Sequence, residues 1–199
     1  MNRQGDTVGR LETRFELALP DWLGPFLAAW DEPLDSPEDR MSLAVTLAAE
    51  NVRRQTGGPF GALVVEERSG RLLGAGVNQV TALGLSLAHA EMMALSLAQR
   101  AGRDWNLGAG RAVQLVTSCE PCAMCFGAVP WSGVSSLLWG ASKQDAEAAG
   151  FDEGDNPADC QATLEARGIR TNGGVMRASA AAVLSSYARG NGDIYHPGR

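Results

Sequence analysis

Apolar and polar positions recur with helical or strand periods along most of this 199-residue chain. Ser36-Pro37-Glu38-Asp39 reads as a helix start, with a capping serine, proline at the first helical position and acids in the first turn. The helix predicted from there runs to about Arg54, with Met41, Val45, Ala48 and Val52 on its buried face, and Gly57-Gly58-Pro59-Phe60-Gly61 ends it. Strands are predicted over Ala62–Glu66 and Leu72–Val80, joined by a hairpin turn at Ser69-Gly70. A small-residue loop leads to a helix from about Ala88 to Arg100. Ala112–Thr117 is a nearly continuous apolar run, as expected of a strand covered on both faces. A helix from Cys122 to about Trp131, a strand over Val134–Trp139, a helix over Lys143–Ala149 and a loop over Gly150–Gly154 follow. A helix near Ala162–Arg167, a strand near Ile169–Met176 and a helix over Ala178–Arg189 complete the pattern. An opening hairpin followed by alternating helices and strands predicts an α/β fold, a three-layer α/β/α sandwich with a mixed five-stranded sheet.

Two places break the regularity. Residues 1–35 form an N-terminal extension punctuated by Pro20, Pro25 and Pro33, in which Trp22, Phe26 and Trp30 recur every four positions. A short helix there presents one aromatic stripe, suited to packing on the chain's own domain or on a partner subunit. The second is Pro130, which removes the hydrogen bond to the carbonyl of Phe126 and predicts an early, bent finish at Trp131-Ser132-Gly133.

Composition narrows the classes. With 45% apolar and 20% charged residues the chain is globular. A formal net charge of −6 argues against a nucleic-acid surface, which normally shows a basic face. No apolar run is long enough to span a bilayer, and Met1 to Leu19 holds no signal-peptide core, so cytoplasmic residence is the default expectation.

Four cysteines in a chain of this size make no disulfide framework, but Cys122 and Cys125 stand as Cys-x-x-Cys at a helix start. A thioredoxin-like redox pair is the competing reading, since its usual place also follows a strand and opens a helix. His89-Ala90-Glu91 and the proline before Cys122 favour a metal. Helix N-termini lower thiolate pKa and favour ligation, so His89, Cys122 and Cys125 are the expected ligands of one zinc ion per chain. Structural zinc is usually closed by four protein ligands, whereas three ligands leave a position for water. Cys119, Cys160 and His196 are the formal candidates for a fourth ligand. With the fourth position open, a bound water drops from a pKa near 16 to about 7, and Glu91 is placed to take and return its proton.

These residues resemble the zinc-dependent cytidine-deaminase-like superfamily, whose H-x-E and P-C-x-x-C signature they carry. The resemblance runs from about residue 37 to 195, making residues 36–199 the deaminase domain. Three stretches resemble the bacterial guanine deaminase branch: Gly57-Gly58-Pro59-Phe60-Gly61-Ala62, Thr117-Ser118-Cys119-Glu120-Pro121-Cys122 and Glu147-Ala148-Ala149-Gly150-Phe151-Asp152-Glu153. The last discriminates, because tRNA adenosine deaminases usually lack it. The resemblance implies hydrolysis of guanine at C2 to xanthine and ammonia, with Glu91 as principal proton shuttle and Glu153 as a second carboxylate. It assigns substrate binding to Asn78, Phe60, Ala90 and Trp131, with Tyr195 as a lid. It also implies a homodimer, with the C-terminal segment reaching over a neighbouring active site. Pro130 departs from the branched apolar residue usual at that position, which puts the wall beside Trp131 in question.

Rival readings remain. Amino-triazines share the attacked amidine. A guanosine or cytidine-type nucleoside deaminase is the nearest alternative, a tRNA adenosine deaminase a more distant one. An inactive zinc-stabilised binding module on the same fold represents a different class.

Overall fold

The computed structural model describes residues 11–196; residues 1–10, part of the extension and of the signal-peptide reading, and residues 197–199 lie outside them. The chain runs α1 (Leu23–Ala28), α2 (Pro37–Arg53), β1 (Gly61–Glu66), β2 (Leu72–Val77), α3 (Val80–Leu83), α4 (Ala90–Gly102), β3 (Val113–Cys119), α5 (Ala123–Ser132), β4 (Ser136–Ala141), α6 (Lys143–Ala148), α7 (Cys160–Glu165), β5 (Arg170–Gly173) and α8 (Arg177–Arg189). The strands form one mixed sheet in the order β2-β1-β3-β4-β5. β1 pairs antiparallel with β2 and with β3, whereas β3–β4 and β4–β5 are parallel.

Strand alternation divides the core into two layers. Ala62 and Val64 of β1, Val113 and Leu115 of β3, and Leu137 and Trp139 of β4 pack against Ala94, Leu95 and Ala98 of α4 and Val129 of α5. Leu63 and Val65 of β1, Ala75 and Val77 of β2, Val116 and Leu138 face the other way onto Met41, Leu43, Ala44 and Leu47 of α2. Helix α8 extends that second layer, Ala180 and Leu184 packing with Cys119, Ala141 and Phe151. The three-layer α/β/α sandwich with its mixed five-stranded sheet is thus present.

Gly74 and Gly76 set the depth of α4. A side chain at Gly76 would collide with the carbonyl of Ala90, and one at Gly74 would meet the carbonyl of Ala94 at 2.8 Å. Helix α4 therefore rests directly on the backbone of β2, which brings its N-terminus, with His89 and Glu91, close to the end of β2 and Asn78.

Three local expectations are corrected. On α2, Met41 and Ala48 are buried as expected, together with Leu43, Ala44, Leu47 and Asn51, whereas Val45 and Val52 are only half-buried. Strand β2 stops at Val77 instead of Val80: the Asn78 carboxamide oxygen accepts from the Val80 backbone N–H at 3.3 Å, a side-chain turn that starts α3. Strand β5 ends at Gly173, and Gly174 in the left-handed region (φ 79°) turns the chain toward α8. Pro130 sits inside α5 without ending it, and the finish at Ser132 and Gly133 (φ 79°) falls where expected. In the extension, Trp22 and Phe26 meet edge to face with centroids 5.8 Å apart, and with Trp30 they pack against the core beneath α2.

Candidate active site

The site lies where β3, α4, α5 and the loop after α6 converge. Capping geometry sets the donors: His89 is the residue before the first turn of α4, Cys122 the residue before the first turn of α5, and Cys125 sits one turn further on. Their ligand atoms all lie within 4.8 Å of one another. The Cys122 Sγ stands 3.5 Å from His89 Nδ1. Tetrahedral zinc with bonds of about 2.3 Å to sulfur and about 2.0 Å to nitrogen requires donor separations of about 3.5 to 3.8 Å. Two soft thiol donors and one imidazole fit zinc in chemistry, and the Cys122–His89 separation matches that spacing.

Among the described residues no fourth side chain joins this group. Cys119 is buried, its thiol directed at the Ser142 carbonyl 3.7 Å away. Cys160 lies at the start of α7, its thiol 3.6 Å from the Pro157 carbonyl, and His196 is exposed.

Charge and burial differentiate the donors and acids. A hydrogen bond with Cys125 is the main cause that draws the Cys122 thiol down to about 4, and His89 helps. Burial works against the His89 imidazolium, but the Cys122 hydrogen bond and the charge of Glu91 outweigh it and raise the group. Glu91 is 7% exposed, and burial first, then the charge of Cys122, pushes its carboxyl up to about 7. Glu153 is 6% exposed; burial, followed by the charges of Cys122 and Glu91, pushes it up to about 8. Among the described residues neither carboxylate forms an ion pair with an arginine or lysine. The Glu153 loop is fixed to the metal-site helix, its carbonyl accepting from the Ala123 N–H at 2.9 Å.

Phe60, His89, Glu91, Glu120, Cys122, Phe151, Asp152, Glu153 and Tyr195 enclose a cavity of about 30 Å³. Phe60 and Phe151 meet edge to face at 4.9 Å between centroids. The Tyr195 hydroxyl accepts from Asn78 Nδ2 at 2.6 Å, and its ring lies 5.9 Å from that of His89. After α8 the chain reverses at Gly190–Gly192, and the Tyr187 hydroxyl holds the return by donating to the Asp193 carbonyl at 2.9 Å.

Of the expected site residues, His89, Glu91, Cys122, Cys125, Glu153, Asn78, Phe60 and Tyr195 gather here. Ala90 does not line the cavity with its side chain, which is packed against the sheet in the core. Trp131 is 80% exposed, so the expected aromatic wall is absent from a single chain. At that point α5 has turned its face outward, away from the sheet. Glu120, Phe151 and Asp152 are wall residues that the motif assignments passed over, although each lies within two positions of an assigned residue in sequence.

The chain is similar to known proteins over much of its length. Guanine deaminase from Bacillus subtilis strain 168 is 41% identical over 118 residues, which is 58% of this chain and 71% of that protein. A solved structure of guanine deaminase from Nitrosomonas europaea is 43% identical, covers 91% of this chain and 100% of its own, and superposes with a TM-score of 0.84. Another solved structure, in complex with 2,6-diaminopurine, is 45% identical over 91% of this chain and 96% of that one, again with a TM-score of 0.84. The family model of the cytidine and deoxycytidylate deaminase zinc-binding region matches residues 35–141. The chain belongs to this family of zinc-dependent deaminases.

Proposed function

We propose that this chain hydrolyses guanine to xanthine and ammonia with one zinc ion per chain on His89, Cys122 and Cys125. The observation that carries the reading is the union, at one cavity, of a cluster of two thiols and an imidazole with two buried carboxylates that, among the described residues, form no ion pair with an arginine or lysine. The similarity to guanine deaminases selects guanine among the aminated heterocycles.

Zinc in this position supplies a Lewis acid that lowers the pKa of a water by many units. Glu91, its carboxyl raised chiefly by burial, takes a proton from the incoming water and returns it to the ring nitrogen beside C2. Glu153, its carboxyl likewise raised chiefly by burial, passes a proton to the exocyclic nitrogen as the C2–N bond breaks, and the proton left on the C2 hydroxyl returns to the carboxylates as the carbonyl forms. The new C2–O bond remains in xanthine, and the nitrogen leaves as ammonia. Asn78 fixes the base through its carboxamide, and Phe60 packs beside it.

Tyr195 is the lid. A cavity of about 30 Å³ has room for a water and none for a purine, so the segment after Gly192 swings out to admit the base. Once shut over the base, that lid leaves no space for ribose. Homodimerisation is part of the reading: Trp131 and Met124, 80% and 40% exposed on α5, form an apolar face suited to a second copy. Segment exchange would cross over at the Gly190–Gly192 turn. No described helix is long and apolar enough to cross a membrane, and we place the protein in the cytoplasm.

Ammonia release across free bases, nucleosides and amino-triazines is the test. Guanine is expected to lead guanosine by at least about a hundredfold. Equal turnover of guanosine would make the chain a nucleoside deaminase, and no release from any substrate would leave a zinc-stabilised binding module.

A further inference from the structure

The extension and the base-binding asparagine are joined by a chain of hydrogen bonds, half-buried at Trp22 and Thr56 and fully buried from Asn51 inward. The Trp22 indole N–H donates to the Thr56 hydroxyl at 3.0 Å. That hydroxyl donates to the Asn51 carboxamide oxygen at 2.7 Å. The Asn51 amide then donates to the carbonyls of Gly58 and Asn78, both at 2.9 Å. Gln79 locks the same corner, its amide donating to the Thr56 and Asn78 carbonyls at 2.8 and 2.9 Å. Asn51, Asn78 and Gln79 are 0%, 1% and 4% exposed, so none of these groups has water as an alternative partner.

Asn78 itself has almost no freedom left. Its N–H donates to the Phe60 carbonyl at 3.1 Å, its backbone carbonyl is held by Asn51 and Gln79, and its side-chain oxygen accepts from Val80. Only the side-chain nitrogen is directed to the lid and the cavity. The packing is close enough that any side chain at Gly57 would strike the Asn78 carbonyl and come within 2.8 Å of the Asn51 amide.

From this arrangement we propose that Asn51 is a positioning residue for substrate recognition, and that the N-terminal extension takes part through Trp22 and Thr56. This rests on the reading of Asn78 as the base contact. Asn51 touches no substrate; it fixes the backbone from which the Asn78 carboxamide reaches the base. Misplacement of a recognition group by about an ångström is enough to weaken its contacts severalfold or more.

Thr56→Val keeps the shape and removes the linking hydroxyl, Thr56→Ser keeps the hydroxyl, and Trp22→Phe keeps a ring without the N–H. On the full-length zinc enzyme, Thr56→Val and Trp22→Phe are expected to raise KM for guanine about three- to tenfold with kcat held within about twofold, the pattern of lost binding common to ground and transition states. Thr56→Ser is expected to behave as wild type. In an Asn78→Ala background, Thr56→Val should add nothing, because the contact it serves is already gone. A KM unchanged in both variants, or a rise that adds fully to that of Asn78→Ala, overturns the proposal. The Asn78 side-chain amide resonance supplies a readout independent of turnover: it is expected to shift in Thr56→Val and Trp22→Phe and to stay put in Thr56→Ser. An unshifted resonance in the first two also overturns it. Wild-type enzyme inactive on guanine, with the resonance shifted as expected, would remove the guanine assignment and leave the positioning role standing.

Discussion

The two ends of the sheet bury polar groups in opposite ways. At the end away from the metal donors, Arg40 is 6% exposed and donates to the Leu34 carbonyl at 2.7 Å, to Gln114 Oε1 at 3.0 Å and to the Glu67 carbonyl at 3.1 Å. Glu67 accepts from Ser135 and Ser136, each at 2.9 Å, and pairs with Arg170 at 2.7 Å. Burial alone would raise the Glu67 carboxyl, but Arg170 and the two serines hold it below its ordinary value. At the metal-donor end, Glu91 and Glu153 are as deeply buried as Arg40, yet among the described residues neither forms an ion pair with an arginine or lysine, and burial outweighs the opposing charge of His89 so that both are pushed up. One end spends its hydrogen bonds on holding strands together. The other keeps its acids able to bind and release protons near neutrality, at a cost in stability, which is what a proton-transfer site requires.

Substitutions can break that contrast. The largest effect is expected for Glu91→Ala, with turnover falling at least about a hundredfold while zinc content, by metal analysis, stays at the wild-type level. Unchanged ammonia release would strip Glu91 of its role. Glu153→Gln comes next: a loss of at least about tenfold in kcat, again with zinc retained, whereas wild-type kinetics would reduce Glu153 to a loop acid.

The stability side carries a sign. The raised carboxyl of Glu91 binds its proton more tightly in the folded chain than in the unfolded one, where it titrates near 4.5. Its favourable contribution is complete below pH 4.5 and is lost as pH rises to about 7. In chelator-stripped protein, Glu91→Gln is therefore expected to stabilise at pH 8 by roughly 2 to 3 kcal/mol, with the gain vanishing near pH 4.5, as read by urea melts. Destabilisation at pH 8 would show that the carboxylate is compensated after all. Glu67 runs the other way: its contribution is present above its ordinary value and disappears as pH falls. Because Arg170 is 66% exposed, Glu67→Gln should cost no more than about 1 kcal/mol at pH 7 and leave turnover within about twofold of wild type. A larger loss of turnover would mean that the two ends are coupled.

Much of the metal-donor end is written in local sequence. The His-x-Glu and Cys-x-x-Cys spacings place their side chains through the first turn of a helix, which needs no tertiary information, and the apolar run of β3 marks the central strand. Features that depend on two elements meeting were not legible. Val45 and Val52 look like the core face of α2, whereas the buried side reaches Asn51, which is covered by the Gly58 and Asn78 backbone that nothing in the sequence places there. Trp131 looks like a wall residue, but the outward face of α5 carries it to the surface. Asn78 reads as a strand residue, and only its bond to Val80 shows the turn it makes. The Trp22–Thr56–Asn51 connection has no sequence signature, since polar residues at those separations become partners only after α1 docks beneath α2.

Everything at the metal-donor end depends on three protein donors holding an ion with one position left to solvent. X-ray absorption at the zinc edge of the purified chain measures this directly. One zinc per chain with two sulfur donors near about 2.3 Å, one imidazole nitrogen and one light donor from water is the expected result. A third sulfur, a second imidazole, or no stoichiometric zinc would contradict it.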